Sequence, residues 1–293
     1  RMRMDENDEN AAPSGGYAAV NLLVENNESD AEDYGSIIDA FNQDRKSIDR
    51  HVTQEAHEII ESDPELKNRK STVIYNPRWM KGIVGIVASR LIETYFRPTV
   101  VLTQSNGFAT GSARSVPGFD LYQAVESCAD LLENFGGHMY AAGLTMRPEN
   151  VGEFTRRFNA YVEENIDPQM LVPQVDVDAE LLFSEITPAF RRELKRFEPF
   201  GPGNAAPIFA TRSVSNRGDA KLVGAECEHL RMDLTQRQKT NTTLQCIAFQ
   251  QPEHFEWIRS GRPVDVCYQI VENHYRGTVS TQLRIKDIKR VEK

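Results

Sequence analysis

Ile37, Phe41, Ile48, Val52 and Ile59 recur at intervals of four and seven residues, the period of one face of an α-helix. Ser29 with Glu32 makes a capping box, and Asp63-Pro64 stops the run. The spacing predicts one long helix over 29–62, with an apolar stripe and a charged far face, suited to connect domains. From 71 to 166 short apolar runs alternate with helical patterns. Strands are expected over 72–75, 99–102, 108–112 and 144–146, and helices over 82–96, 121–135 and 151–166. That alternation defines an α/β domain of about 100 residues.

Residues 167–173 read as a linker. Beyond it, apart from a helix near 187–196, the period falls to two. Leu230/Met232/Leu234, Leu244/Cys246/Ala248 and Val264/Val266/Tyr268/Ile270 are examples. Five or so strands in about 115 residues suggest a small all-β barrel or sandwich, and an OB-type barrel is a natural candidate. The polar opening, RMRMDENDENAAPSGG over 1–16, reads as a loop or disordered lead-in. Starting on Arg1, it suggests a fragment. Three parts are therefore expected: lead-in and connector helix over 1–70, an α/β domain over 71–170, and an OB-like domain over 171–293.

Composition bounds this picture. The chain has 293 residues, 40% of them hydrophobic and 26% charged, ordinary for a protein that builds real cores. It holds no apolar run of about 18 residues, the length of a membrane helix, and no secretory signal pattern. Cys128, Cys227, Cys246 and Cys267 are scattered, which fits a reducing cytoplasm better than a disulfide scaffold or a zinc ribbon. The net charge of −9 argues at first against a polyanion partner. Its distribution reverses that: residues 1–70 carry 8 basic and 17 acidic side chains, whereas 71–293 carry 26 of each. The acidity describes the connector.

Three segments could carry chemistry. Gly111-Ser112-Ala113-Arg114-Ser115 ends a strand with a guanidinium, two hydroxyls and small residues, a donor set for an oxyanion. The alternative is an arginine that caps a helix or pairs with Asp120. Phe135-Gly136-Gly137-His138, followed by Ala141-Ala142-Gly143, reads first as a helix C-cap turn. Its exposed N–H groups and histidine could also hold a phosphate or nucleobase. Phe197-Glu198-Pro199-Phe200-Gly201-Pro202-Gly203-Asn204 is a rigid loop whose aromatics more naturally pack than stack on bases. No HExxH, GxSxG or phosphate-binding loop occurs, no Asp-His-His triplet, and no histidine cluster with metal-ligand spacing.

Together these residues resemble a known family. The runs 82–91 (GIVGIVASRL) and 111–115 (GSARS), then Pro117-Gly118-Phe119-Asp120-Leu121 and Phe135-Gly136-Gly137-His138 with Ala141-Ala142-Gly143-Leu144, follow the order and spacing of RecJ-type exonucleases. These are single-strand-specific 5′→3′ DNA nucleases of the DHH phosphoesterase superfamily. The segment 199–204 and the closing strands through 273–288 are similar too, and the resemblance covers about 70–290. It departs at Trp79-Met80-Lys81-Gly82, where the family usually has Trp-His before the glycine.

The resemblance implies a connector helix, a DHH-associated α/β domain and an OB-fold, with the catalytic DHH domain and its two Mn²⁺ or Mg²⁺ ions outside this sequence. By the same resemblance, Ser112 and Arg114 hold the substrate's terminal phosphate. Gly136, Gly137 and His138 line the same cleft, Arg90 is a further candidate, and neither catalytic nor metal-ligating residues are expected here. Implied partners are single-stranded DNA, the DHH domain of the same protein and other DNA-repair proteins, in the cytoplasm and away from membranes. Two other readings stay open: a related enzyme for oligoribonucleotides or cyclic dinucleotides, and a non-catalytic nucleic-acid-binding module.

Overall fold

The computed structural model describes residues 15–237, 241–275 and 277–291; most of the lead-in expected over 1–16 lies outside them. The chain divides into two compact units, one ending at Pro173 and the other beginning at Gln174.

The first unit opens with α1 (Gly15–Val24) and α2 (Glu28–Ser62), followed by a short α3 (Pro64–Asn68). The long helix starts before the predicted capping box. Asn27 is its N-cap, its side chain accepting the Ser29 N–H at 3.0 Å. Asparagine caps as well as serine does, and this start places Glu28 and Asp30 in the first turn, where the helix dipole favours acids. Of the predicted stripe Val52 is buried, Ile48 and Ile59 are half-buried and Phe41 is exposed, whereas Ala56 and Ile60, outside that stripe, are fully buried.

The remaining elements are β1 (Thr72–Tyr75), α4 (Val84–Tyr95), β2 (Thr99–Ser105), β3 (Phe108–Arg114), α5 (Leu121–Glu126), β4 (Leu132–His138), β5 (Ala141–Met146) and α6 (Val151–Asn165). They form a sheet in the order β1-β2-β3-β5-β4, with β1 and β2 parallel and the other neighbours antiparallel. Because successive strand side chains face opposite ways, each face builds its own core. Val100, Leu102, Ala113 and Leu144 pack with Val125 of α5 and Phe154 and Phe158 of α6. Ile74 and Val101 pack with Val87, Ala88 and Leu91 of α4 and with Val52, Ala56 and Ile60 of α2. The connector helix is thus part of this unit's core.

The expected helix over 121–135 is corrected. It stops at Glu126, a single 3-10 turn covers Ala129–Leu131, and Leu132–His138 is a strand. Leu121, Val125 and Cys128 keep helical spacing and are buried. Beyond them, pairing with β5 wins over a helix that two glycines would weaken. Gly136 and Gly137 therefore sit inside a hairpin strand, not in a helix C-cap. A Cβ on Gly137 would collide with the Ala141 carbonyl and Ala142 Cα.

The second unit contains β6 (Ala179–Glu180), α7 (Pro188–Lys195), β7 (Phe209–Asn216), β8 (Lys221–Val223), β9 (His229–Gln236), β10 (Thr242–Ala248), α8 (Phe255–Arg259), β11 (Val264–Tyr275) and β12 (Thr278–Arg290). β7 pairs with both β9 and β11, β9 with β10, β10 in parallel with β12, and β12 with β11. The circuit β7-β9-β10-β12-β11 closes on itself, the strand order of an OB barrel. Leu230, Met232, Leu234, Cys246, Leu283 and Tyr268 fill it.

Candidate anion-binding cleft

Register puts the two predicted segments on one sheet face. Ser112 lies opposite Gly143, and Gly143 opposite Gly136; Arg114 lies opposite Ala141, and Ala141 opposite His138. Directly opposed residues share a face, so two rows cross β3, β5 and β4. Ser112 and Arg114 stand at one end and His138, exposed, at the other. At about 4.8 Å per strand spacing the backbones at the two ends are roughly 10 Å apart. The floor between them is Gly143, Ala141 and Gly136, and a Cβ on Gly136 would meet nothing within 4 Å. Gly137, on the opposite face with Ala113 and Ala142, serves the hairpin's close packing.

Arg114 is held within its own strand. Its Nη1 donates to Ser112 Oγ at 2.6 Å and to the Ala113 carbonyl at 2.9 Å. It does not pair with Asp120, whose carboxylate caps α5 by accepting the Gln123 N–H at 3.2 Å. Ser115 is spent on its loop, its Oγ donating to the Phe119 carbonyl at 2.8 Å.

Above this end of the floor sits the start of α4, and here the structure adds a residue that sequence reasoning passed over. A Cβ on Gly85 would stand 3.2 Å from Arg114 Nη2 and 3.3 Å from Ser112 Oγ. Gly85 is the second residue of α4, and no side chain caps that helix. The Ile86 and Val87 N–H groups donate to the Ile83 carbonyl at 2.9 and 3.0 Å, which leaves those of Val84 and Gly85 without an intrahelical acceptor, and the helix end carries partial positive charge. A guanidinium beside that end is repelled by it. An anion placed between them would relieve the repulsion and satisfy both sets of donors. The GIVG run was visible in the sequence, but no local pattern shows which strand its helix start would meet.

Arg90 takes another course. Its guanidinium makes a bidentate pair with Asp49 of α2, Nε–Oδ1 3.1 Å and Nη2–Oδ2 2.7 Å, and Asp49 is 4% exposed. The donors of Arg90 thus join α4 to α2. In the loop over 197–204, Asn204 Nδ2 donates to the carbonyls of Phe197 and Pro199, while the Phe197 ring is 65% exposed, so packing does not absorb it.

Among the described residues no group of three or more His, Cys, Asp or Glu side chains could hold a metal ion. The cleft's own set of guanidinium, hydroxyl and backbone N–H suits an anion and not a cation. No described helix is long and apolar enough to cross a membrane.

The fold defines a class: an α/β domain with a cleft of anion-type donors, followed in the chain by an OB-type barrel. Comparison with known proteins agrees. Residues 68–164 match the DHHA1 domain model and 177–287 the RecJ OB domain model. The single-stranded-DNA-specific exonuclease RecJ of Bacillus subtilis is 31% identical over 272 residues, covering 92% of this chain and 34% of that protein. RecJ of Escherichia coli is 31% identical over 282 residues, covering 92% of this chain and 47% of its own length. The crystal structure of Thermus thermophilus RecJ in complex with Mn²⁺ matches with a TM-score of 0.73 at 26% identity, over 94% of this chain and 39% of that one. Over its DHHA1 and OB domains the chain belongs to the RecJ family. It spans between about a third and a half of the length of the curated relatives it matches.

Proposed function

We propose that this chain is the substrate-handling part of a 5′→3′ single-stranded-DNA exonuclease. The observation that carries this is the meeting of Arg114, Ser112 and the uncapped start of α4 around Gly85. It is an anion site facing a glycine floor and His138. The terminal phosphate of a strand enters there, between Arg114 and the α4 N–H groups, and Gly136 leaves room for the sugar-phosphate backbone beside His138. Holding the terminal phosphate fixes which phosphodiester is presented for hydrolysis. In the whole protein a bound divalent metal supplies the hydrolytic chemistry, and this chain supplies position. The DHH domain of the same protein and other DNA-repair proteins are its expected partners. Its four unpaired cysteines fit the cytoplasm.

Binding of a labelled single-stranded oligonucleotide to the 293-residue chain tests this. A 5′-phosphorylated strand is expected to bind more tightly than its 5′-hydroxyl counterpart. Arg114→Ala and His138→Ala should each reduce that preference, Arg114→Ala by about tenfold or more, since a charge-assisted bond contributes about 1.5–3 kcal/mol. Equal binding of the two strands by the parent chain overturns the reading.

A further inference from the structure

Residues 76–83 lead from β1 into α4 and are held at several points. The Trp79 N–H donates to the Asn76 carbonyl at 3.2 Å and the Arg78 N–H to Asn76 Oδ1 at 3.0 Å. Trp79 is 5% exposed. Its indole Nε1 donates to Glu55 Oε2 at 2.7 Å, and its carbonyl accepts the Thr103 hydroxyl at 2.5 Å. The Ile83 N–H then closes a turn on the Met80 carbonyl at 3.0 Å, and neither Lys81 nor Gly82 has a positive φ. The chain thus winds right-handed from Lys81 into the helix. Residues four apart on such a path lie within roughly 6 Å of each other on one side. Lys81 therefore stands one turn ahead of Gly85, and a lysine stem is long enough to bring its ammonium to the Arg114 and Ser112 end of the floor.

Lys81 is exposed and makes no ion pair or side-chain hydrogen bond among the described residues. No acid occupies the first turn of α4. The carboxylate tied to the loop, Glu55, is taken up by the Trp79 indole and lies 3.4 Å from His51 Nε2. Two cations, Arg114 and Lys81, thus share one helix start without a compensating carboxylate. Helix starts favour acids and disfavour cations, so the arrangement opposes folding and favours an anion of more than one charge. A terminal phosphate monoester is such an anion, carrying roughly −1.5 to −2 at pH 7; an internal phosphodiester carries a single charge.

We propose that Lys81 supplies the second side-chain cation of the terminal-phosphate site, so that the site selects the dianionic end of a strand over a singly charged phosphodiester. The proposal rests on the reading of the cleft above and deepens it. Arg114 and Ser112 take any phosphate, whereas Lys81 answers the extra charge that only an end carries. A strand is thereby held by its end and not by an internal phosphate.

The test uses the 293-residue chain and one labelled oligodeoxythymidylate with three 5′ ends: phosphate, methylphosphate and hydroxyl. The parent should bind the phosphate end about fivefold more tightly than the singly charged methylphosphate end. Lys81→Met should remove that step and keep the preference for methylphosphate over hydroxyl, which belongs to Arg114; Lys81→Arg should keep both. Without DNA, Lys81→Met should melt at or above the parent's temperature, because it takes a cation from a helix start. A Lys81→Met chain that keeps the parent's ratio of phosphate to methylphosphate affinity overturns the proposal. So does one that melts lower and loses affinity equally for all three strands, which marks a structural role. If the parent prefers phosphate to hydroxyl but not to methylphosphate, the functional reading stands and the role of Lys81 falls. If it prefers neither, both fall.

Discussion

Gly85 in the first turn of α4 lies against Arg114 of β3, a Cβ on the glycine reaching 3.2 Å from Nη2. The guanidinium can approach the helix start only because position 85 has no side chain. Gly85→Val should displace Arg114 and Ser112 from the helix N–H groups. The expected result is loss of the 5′-phosphate preference, with the thermal transition lowered by only a few degrees. Gly85→Ala, which needs an adjustment of a few tenths of an ångström, should lose less. Equal effects of Ala and Val on the preference would contradict this steric account.

Arg90 and Asp49 join α4 to α2 through two hydrogen bonds. Removing Arg90 leaves a carboxylate that is 4% exposed without its partner, which should cost about 1–3 kcal/mol. The arginine is partly solvated, so the lower end is expected. Urea unfolding of Arg90→Ala, Asp49→Ala and the double variant should show coupling, the double costing less than the two singles together. Single-strand affinity of folded Arg90→Ala should equal that of the parent; a clear loss would return Arg90 to the binding site.

Arg97 is 5% exposed and caps the turn after α3. It donates to Thr72 Oγ1 at 2.7 Å and to the carbonyls of Lys67, Leu66 and Arg69. Arg97→Met fills similar space and takes a donor from Thr72 Oγ1 and from the Lys67 and Arg69 carbonyls, while the Leu66 carbonyl keeps the Arg69 N–H at 3.4 Å. A loss of about 3 kcal/mol is expected, measured by chemical denaturation. Unchanged stability would mean that water replaces the guanidinium at no cost.

In the barrel, the Tyr268 hydroxyl lies 2.7 Å from Thr211 Oγ1, which also donates to the Leu181 carbonyl at 2.7 Å. Burial pushes the Tyr268 phenol up to about 12. An unfolded tyrosine releases its proton near pH 10. As pH rises from about 10 to about 12 the unfolded chain therefore ionises first, and the folded state loses stability. Below pH 10 this contribution is intact. Tyr268→Phe should cost about 1 kcal/mol at neutral pH and show a shallower fall in melting temperature above pH 10. Identical alkaline slopes would rule out Tyr268 as their source.

The cleft's donors are a guanidinium, a hydroxyl and backbone N–H groups, which suit an anion and not a cation, so the chain on its own is expected to release no nucleotides from single-stranded DNA when Mn²⁺ is added. Manganese-dependent release that co-purifies with the chain, and is lost in Arg114→Ala, would refute this.

The strands and helices that carry periodic patterns were legible locally. Leu230/Met232/Leu234 alternate because one face of β9 fills the barrel, and Leu121, Val125 and Cys128 keep helical spacing because they are buried against one core. Leu132 and Phe135 continue the helical spacing, yet they pair with Met146 and Leu144 in a hairpin, because strand partners lie outside any local window.

The sequence by itself determined the two-part plan, α/β then β-rich, since burial imposes its period on each element separately. It also determined the donor chemistry of Ser112, Arg114 and His138, which belongs to the side chains themselves. Only the tertiary structure decided that these donors share one face. The order β3-β5-β4 sets Arg114 and His138 in one row across the floor, and Gly85 admits the guanidinium to the start of α4. It also withdrew Arg90 to Asp49. Such choices depend on strand register and helix docking between residues far apart in the chain, and no local period records them.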